Sequence, residues 1–207
     1  MSIKHLKAHH IDVLKEIGNI GAGHAATSLS KFVNKQIHIE VPSVKFMEIN
    51  EMMESLGGAD TPMAACFLRI DEDLKGALFF LLPVHKANDL IQRLTSSSAD
   101  LTQSTPDSIA VSAFQEVGNI VAGSYLSALG DFTGLHIHPS VPGVTVDMIG
   151  AILTAGLVEL SEESDYAIVI DTVVYEASDE LPVDGHFFVM PDPGSYESLF
   201  RSLGIQV

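Results

Sequence analysis

Cysteine and tryptophan are almost missing from this sequence of 207 residues. Cysteine occurs once, at Cys66, and tryptophan does not occur. A single cysteine excludes a disulfide bond within the chain. Because Cys66 stands in the apolar run between Ala64 and Leu68, we expect a reduced thiol in the core rather than a reactive one.

Long apolar runs are missing as well. Hydrophobic residues make up 46% of the chain, but no run reaches the length of a membrane span. The opening residues Met1–His5 contain no apolar signal core. We therefore expect a compact cytoplasmic protein that does not insert into a membrane.

Basic residues are scarce, above all in the second half. The chain has 11 Lys and Arg against 27 Asp and Glu, a net charge of −16. Residues 1–100 hold ten basic and twelve acidic residues, whereas residues 101–207 hold one and fifteen. Such a surface repels phosphate backbones, which argues against nucleic-acid binding. The acidity favours solubility, with attraction of a basic partner as the alternative.

By contrast, one eight-residue segment occurs twice. Glu16–Gly23 returns as Glu116–Gly123, one hundred positions later. Around it, residues 12–49 and 112–149 align without a gap and share fourteen identities in thirty-eight pairs. Chance at typical composition would give about two identities. The chain therefore contains an internal duplication.

Both copies of this segment have the residue spacing of an amphipathic helix. At about 100° per residue, polar and small residues form one stripe on each helix. The stripes are Asp12, Glu16, Asn19, Gly23, Thr27 and Ser30, and then Ser112, Glu116, Asn119, Gly123, Ser127 and Gly130. Apolar residues, Ile20 and Phe32 among them, are expected on the opposite side. The spacing predicts these two signature helices at about residues 4–32 and 106–132, the second capped by Thr105 ahead of Pro106.

Alternating apolar residues after each signature helix predict strands. The first half is expected to form strands at 37–41, 44–47, 62–70 and 77–83, a short helix capped by Asn50, and a helix at 85–95. The second half repeats this order, with extra residues mainly in 147–161 and 175–184. The predicted fold is a single α/β body made of two helix-plus-strands repeats related by a pseudo-twofold axis. The repeats are residues 1–100 and 101–207, and both signature helices are expected on the surface.

Other motifs fail on context. Gly21–Ala26 fits a dinucleotide-binding fingerprint, but no strand precedes it and it lies within a helix. The nine histidines are accompanied by no Cys or His set at zinc spacing, so no metal site is predicted. Ser112 has no His partner nearby in the sequence, which leaves nucleophilic catalysis unsupported.

Glu and Asn, three residues apart on each stripe, are the candidates for chemistry. An isolated pair of this kind is usually just solvated. Here Glu16 and Asn19 recur one hundred residues later, while flanking surface positions such as Lys15 and Gln115 differ. A carboxamide can orient a water through its donor and its acceptor, and a carboxylate can anchor a lysine of a partner protein.

The two stripes resemble the signature of the CheC/CheX/FliY phosphatases of bacterial chemotaxis. The matching pattern is [DS]-x3-E-x2-N within E-[IV]-G-N-I. It is present as Asp12, Glu16 and Asn19 and again as Ser112, Glu116 and Asn119. The resemblance covers essentially the whole chain, with no departure at the signature positions.

The resemblance implies hydrolysis of the aspartyl phosphate on the response regulator CheY. This chain would supply positioning and no cofactor of its own, while CheY would bring magnesium and the acyl phosphate. The implied roles are pairing with a lysine of CheY for Glu16 and Glu116, holding the attacking water for Asn19 and Asn119, and docking for Asp12 and Ser112.

The family also implies a second partner, the receptor deamidase CheD. We place its contact in the insertion of the second repeat, residues 147–160, with Asp147 as the binding residue. This stretch is apolar, and its alternative interpretation is a core helix. A non-catalytic adaptor for CheY or CheD, or a flagellar-switch module, is the alternative function. Proteins of the FliM type share the fold without the catalytic pairs, so that the fold alone would not establish hydrolysis.

Overall fold

A computed structural model describes residues 8–96, 100–105, 108–159, 166–176 and 183–204. Within these residues the helices are α1 (Ala8–Val33), α2 (Ile49–Ser55), α3 (Val84–Thr95), α4 (Ile109–Thr133), α5 (Ile149–Glu159) and α6 (Pro193–Ser202). The strands are β1 (Ile37–Glu40), β2 (Val44–Glu48), β3 (Pro62–Glu72), β4 (Gly76–Pro83), β5 (Ile137–Pro139), β6 (Gly143–Met148), β7 (Tyr166–Glu176) and β8 (Val183–Pro191).

These strands join in one antiparallel sheet. Its order is β1-β7-β8-β4-β3-β5, with β2 also paired to β7 and β6 also paired to β3. The first two strands of each repeat therefore pair with the long strand of the other repeat, and β4 and β8 meet in the middle. The sheet maps onto itself when the two repeats are exchanged. The predicted α/β body with pseudo-twofold symmetry is confirmed.

The strand registers show where the pseudo-twofold axis passes. β2 meets β7 in the same register as β6 meets β3, which makes Ile170 equivalent to Cys66. Cys66 in turn pairs with Phe80, and Ile170 pairs with Phe187. Phe80 and Phe187 are thus equivalent, and they pair with each other across β4 and β8. The axis passes between these two rings, whose centroids are 6.0 Å apart.

Helices cover both faces of the sheet. α1 and α4 pack against each other on one face, where residues of α3 and α6 join them in the larger hydrophobic cluster. α2 and α5 cover the other face with a smaller cluster. Side chains alternate between the faces along β3, with Cys66 and Leu68 in the first cluster and Met63 and Ala65 in the second. Cys66 is fully buried, as predicted for a core thiol.

Two helix caps differ from the prediction. α4 begins after Ser108, whose hydroxyl accepts a hydrogen bond from the backbone N–H of Val111 at 3.2 Å. Thr105 as the cap was wrong, and Pro106 lies outside the described residues. Ser is the better cap of the two residue types, but the proline directly after Thr105 favoured the earlier helix start. Asn50 was also wrong as a cap, because α2 begins one residue earlier and contains it.

Two residues predicted for the buried side of α1 are exposed. Ile20 is 41% exposed and Phe32 is 52% exposed. Ile20 lies only about 60° from the centre of the polar stripe, close to its edge. Phe32 stands in the last turn of α1. Its equivalent Phe132 is also 52% exposed, so that both signature helices end in the same way.

Candidate functional site

The polar stripe of α1 lies on the surface. The side chains of Asp12, Glu16 and Asn19 are all exposed. Within the part of the chain that the structure describes, none of the three has a hydrogen-bond or ion-pair partner. Nothing in the described part of the chain therefore occupies their polar groups.

The stripe of α4 has the same arrangement with one difference. Ser112 and Asn119 are exposed, whereas Glu116 is half-buried. These three side chains likewise have no partner among the described residues. The structure thus presents two separate sets of candidate groups, one on each of two helices that pack side by side.

Glycines on the signature helices serve two purposes. A Cβ atom on Gly23 or Gly123 would have no atom within 4 Å, so both positions leave open space along the stripes. A Cβ atom on Gly118 would come within 2.3 Å of the Cys66 sulfur, so α4 can lie against β3 only because this residue is glycine. Gly23 and Gly123 let a partner approach the stripes, and Gly118 lets α4 pack closely on β3.

The interface between α1 and α4 explains the one large difference between the two copies of the segment. A Cβ atom on Gly21 would lie 2.9 Å from the Cα atom of Tyr125 on α4. The position equivalent to Gly21 is Val121, and the position equivalent to Tyr125 is Ala25, both fully buried. In the pairs Gly21/Tyr125 and Ala25/Val121, α1 supplies the small residue and α4 the larger one. The two helices can therefore stay in close contact.

Residues just before the two Glu positions make equivalent contacts that the sequence analysis did not foresee. Lys15 donates from Nζ to the carbonyl oxygen of Pro42 at 2.9 Å. Gln115 donates from Nε2 to the carbonyl oxygen of Pro142 at 2.6 Å. The sequence showed Lys15 and Gln115 only as flanking surface positions that differ, and it did not reveal the contact that they share. The signal that could have revealed the constraint is that both side chains are long and carry an N–H donor.

The opposite face of the sheet carries two cavities at equivalent positions. One, of about 220 Å³, is lined largely by apolar groups, including Phe67, Phe79 and Thr145. The other, of about 300 Å³, has Asp171, His186 and Lys45 at the equivalent positions. The duplicated fold has therefore kept its signature face similar in both halves, while the opposite face has become apolar in one half and charged in the other.

A network around Asp171 dominates the charged cavity. His186 Nδ1 lies 3.0 Å from one carboxylate oxygen, Lys45 Nζ lies 3.0 Å from the other, and the Ser43 hydroxyl donates to the latter. The hydrogen bond with His186 above all, together with those from Ser43 and Lys45, holds the pKa of Asp171 well below its usual range, against the opposing effect of burial. Because the Ser43 hydroxyl contacts the carboxylate rather than the imidazole, these residues do not form a nucleophilic triad.

Asp147 lies on β6, away from both signature stripes. It is exposed, accepts a hydrogen bond from the Met148 amide at 2.7 Å, and lines the apolar cavity. In the helix that follows, Ile149, Ile152 and Leu153 are buried in the cluster of the second face. The alternative interpretation of this stretch as a core helix is therefore correct for these three residues, while Asp147 itself stays accessible.

Two features are absent from the described residues. No three His, Cys, Asp or Glu side chains among them are grouped as metal ligands. No helix among them combines the length and the apolar character that crossing a bilayer requires.

Comparison with known proteins places both stripes in one protein family. The profile of the CheC-like family matches residues 10–46 and 109–146, which contain both stripes. A protein of Bacillus subtilis (strain 168), the CheY-P phosphatase CheC, is 42% identical over 200 residues, covering 96% of each chain. The chain belongs to the CheC-like family. The matched segments include both candidate Glu/Asn pairs and the two loops that contain Pro42 and Pro142.

Solved structures show how widely this CheC-like fold is used. FliY of Thermotoga maritima has a TM-score of 0.76 at 19% identity, covering 97% of this chain and 98% of that one. The FliM middle domain from H. pylori has a TM-score of 0.68 at 13% identity, covering 95% and 99%. At these identities the similarity shows the fold alone.

Proposed function

We propose that this protein hydrolyses the aspartyl phosphate of the response regulator CheY. The observation that carries the proposal is the duplicated Glu/Asn pair, Glu16 with Asn19 and Glu116 with Asn119, whose side chains have no partner in the described part of the chain. A carboxylate and a carboxamide without partners, at equivalent positions of two helices, can contact a partner protein through charge-assisted and amide hydrogen bonds. A 42% identical relative that is named a CheY-P phosphatase supports the same activity.

The chemistry needs little from this chain besides positioning. An amide side chain has an acceptor for one proton of a water molecule and a donor for its oxygen, so Asn19 or Asn119 can hold the water that attacks phosphorus. Glu16 or Glu116 can pair with a lysine of CheY and set the register of docking. Asp12 and Ser112 extend the docking contact by one helical turn. Magnesium and the acyl phosphate belong to CheY, where they stabilise the developing charge.

A non-catalytic adaptor or flagellar-switch module is the alternative function. The observation in its favour is the shared fold of the FliM middle domain, since one fold can host different functions. The two functions differ in one property. A phosphatase accelerates the decay of phosphorylated CheY in catalytic amounts, whereas an adaptor binds CheY without changing its decay.

The experiment separates binding from turnover at one site. We expect Asn19→Ala, made in a chain that already carries Asn119→Ala, to bind phosphorylated CheY but to hydrolyse it slowly, because the lysine anchor at Glu16 remains. In the same background, Glu16→Ala should weaken binding as well, because a charge-assisted contact is lost. Decay of phosphorylated CheY and its affinity are measured for both variants. If the Asn119→Ala protein and both double variants hydrolysed phosphorylated CheY at the same rate, the assigned roles would be disproved.

Modulation of the receptor deamidase CheD is a finer part of the proposal. The exposed carboxylate of Asp147, on the face away from the signature helices, would let CheD and CheY bind without competing for one surface. Asp147→Lys should reduce capture of CheD, and Asp131→Lys, which reverses an exposed charge on α4, serves as the control. Unchanged capture by Asp147→Lys would remove this assignment and leave the phosphatase proposal intact.

A further inference from the structure

The side chains just before the two Glu positions tie each signature helix to a proline loop. Lys15 and Gln115 stand at equivalent positions, and each donates to the carbonyl of an equivalent proline, Pro42 or Pro142. Asn19 lies four positions after Lys15, which makes the two neighbours on the helix surface. The tether therefore starts on the helix surface beside the amide that is proposed to hold water.

The two tethers differ in charge. Gln115 contributes a neutral amide, whereas Lys15 contributes an ammonium group with three donors, of which Pro42 takes one. No carboxylate among the described residues forms an ion pair with Lys15. Its charge is therefore available to an anionic group brought to the α1 stripe.

The two loops also differ in how else they are held. In the first repeat Val41 is 4% exposed, and a Cβ atom on Gly18 would lie 3.5 Å from it, so the loop packs on α1 as well as being tethered. In the second repeat Val141 is 85% exposed. Val141 therefore does not pack on α4 as Val41 packs on α1, and the hydrogen bond from Lys15 or Gln115 is the contact with the helix that the two loops share.

Resting on the proposed function, we infer that Lys15 and Gln115 are positioning residues that make the two phosphatase sites unequal. Each side chain holds the proline loop as one wall of its site. Lys15 adds a positive charge that attracts the phosphorylated face of CheY to the α1 site, an advantage that the α4 site lacks.

Single-site proteins allow each tether to be tested alone. Asn119→Ala leaves the α1 site, and Asn19→Ala leaves the α4 site. In the Asn119→Ala protein, Lys15→Gln keeps a hydrogen-bond donor but removes the positive charge. We expect kcat/KM to fall about three- to tenfold at low ionic strength, with the difference vanishing at high salt and kcat unchanged. In the Asn19→Ala protein, Gln115→Lys should raise kcat/KM by a similar factor under the same conditions.

Substitution by methionine tests the tether itself, because methionine keeps length and removes the donor. Gln115→Met should lower kcat and should be rescued by Gln115→Lys, which restores a donor. Lys15→Met should lower kcat less, because Val41 still holds the first loop. Lys31→Gln, an exposed charge in the last turn of α1, controls for net charge and should leave kcat/KM unchanged.

The outcomes separate this inference from the proposed function. If the chain with both Asn residues intact does not accelerate decay, the phosphatase proposal fails. If it does, and the reciprocal Lys15→Gln and Gln115→Lys changes leave kcat/KM and its salt dependence unaltered, the charge assignment is overturned. If both methionine variants keep full kcat, the positioning assignment is overturned.

Discussion

At the scale of single residues, Gly118 decides how closely α4 lies against the sheet. It stands within the repeated segment, and its position is filled by the Cys66 side chain of β3. Gly123, five residues later, faces open space. Two glycines of one segment therefore have opposite requirements, the first set by packing and the second by access to the stripe.

Substitution of these glycines should separate the two requirements. Gly118→Ala should lower the free energy of unfolding by about 1–3 kcal/mol, because the added methyl group overlaps the Cys66 side chain. Gly123→Ala should raise it by about 0.5–1 kcal/mol, the usual gain for alanine in a helix interior. Urea titration of both variants measures these changes. Equal stability of the two would contradict the packing described for Gly118.

The Cys66 thiol should be inert in the folded protein. Burial raises its pKa to about 12, so that the thiolate needed for alkylation is almost absent at pH 8. We expect no labelling by iodoacetamide in the native state and complete labelling in denaturant, as followed by mass spectrometry. Native labelling at the rate of a free thiol would show that Cys66 is accessible.

Asp171 should make the free energy of unfolding decrease at acid pH. Its folded-state pKa is depressed, so the network contributes stability above the unfolded pKa, about 3.9, and loses it as pH falls toward the folded pKa. Asp171→Asn should cost about 1–2 kcal/mol at pH 5, and this cost should shrink toward pH 2.5. Asp131→Asn, an exposed carboxylate on α4, is the control and should change stability by less than about 0.5 kcal/mol. A cost that is constant with pH would contradict the network.

At the scale of elements, the periodicity of the chain was enough to predict the signature helices and the strands near them. The exposed Glu16, Asn19 and Asn119 follow from the helical spacing alone. The cap of α4 did not, because Thr105 and Ser108 are chemically similar and only the packed structure distinguishes them. The hydrogen bonds of Lys15 and Gln115 to the proline carbonyls were not predicted, because the two residues differ in type and share only an N–H donor.

At the scale of the whole molecule, exchange of strands makes the two repeats depend on each other. β1 and β2 pair with β7, and β5 and β6 pair with β3, so each repeat supplies edge strands to the other. The duplication in the sequence predicted two equivalent units and a pseudo-twofold axis. It could not predict the exchange, because pairing within a repeat and pairing between repeats satisfy the same residue pattern.

Separated repeats should therefore not fold alone. Residues 1–100 and 101–207, expressed as two polypeptides, should each lack a cooperative thermal transition, because β1 and β2 lose β7 and β5 and β6 lose β3. Mixing them should restore helical circular dichroism and a single transition. A cooperative transition in either polypeptide alone would show that a repeat is an independent domain.

The most direct test of the account is the decay of phosphorylated CheY with the Asn19→Ala/Asn119→Ala protein. Both side chains are exposed and have no partner among the described residues, so the variant should keep the circular dichroism and unfolding free energy of the parent. We predict that phosphorylated CheY then decays at nearly the rate of CheY alone, while the parent protein accelerates it. Full acceleration by the folded double variant would contradict the assignment of Asn19 and Asn119.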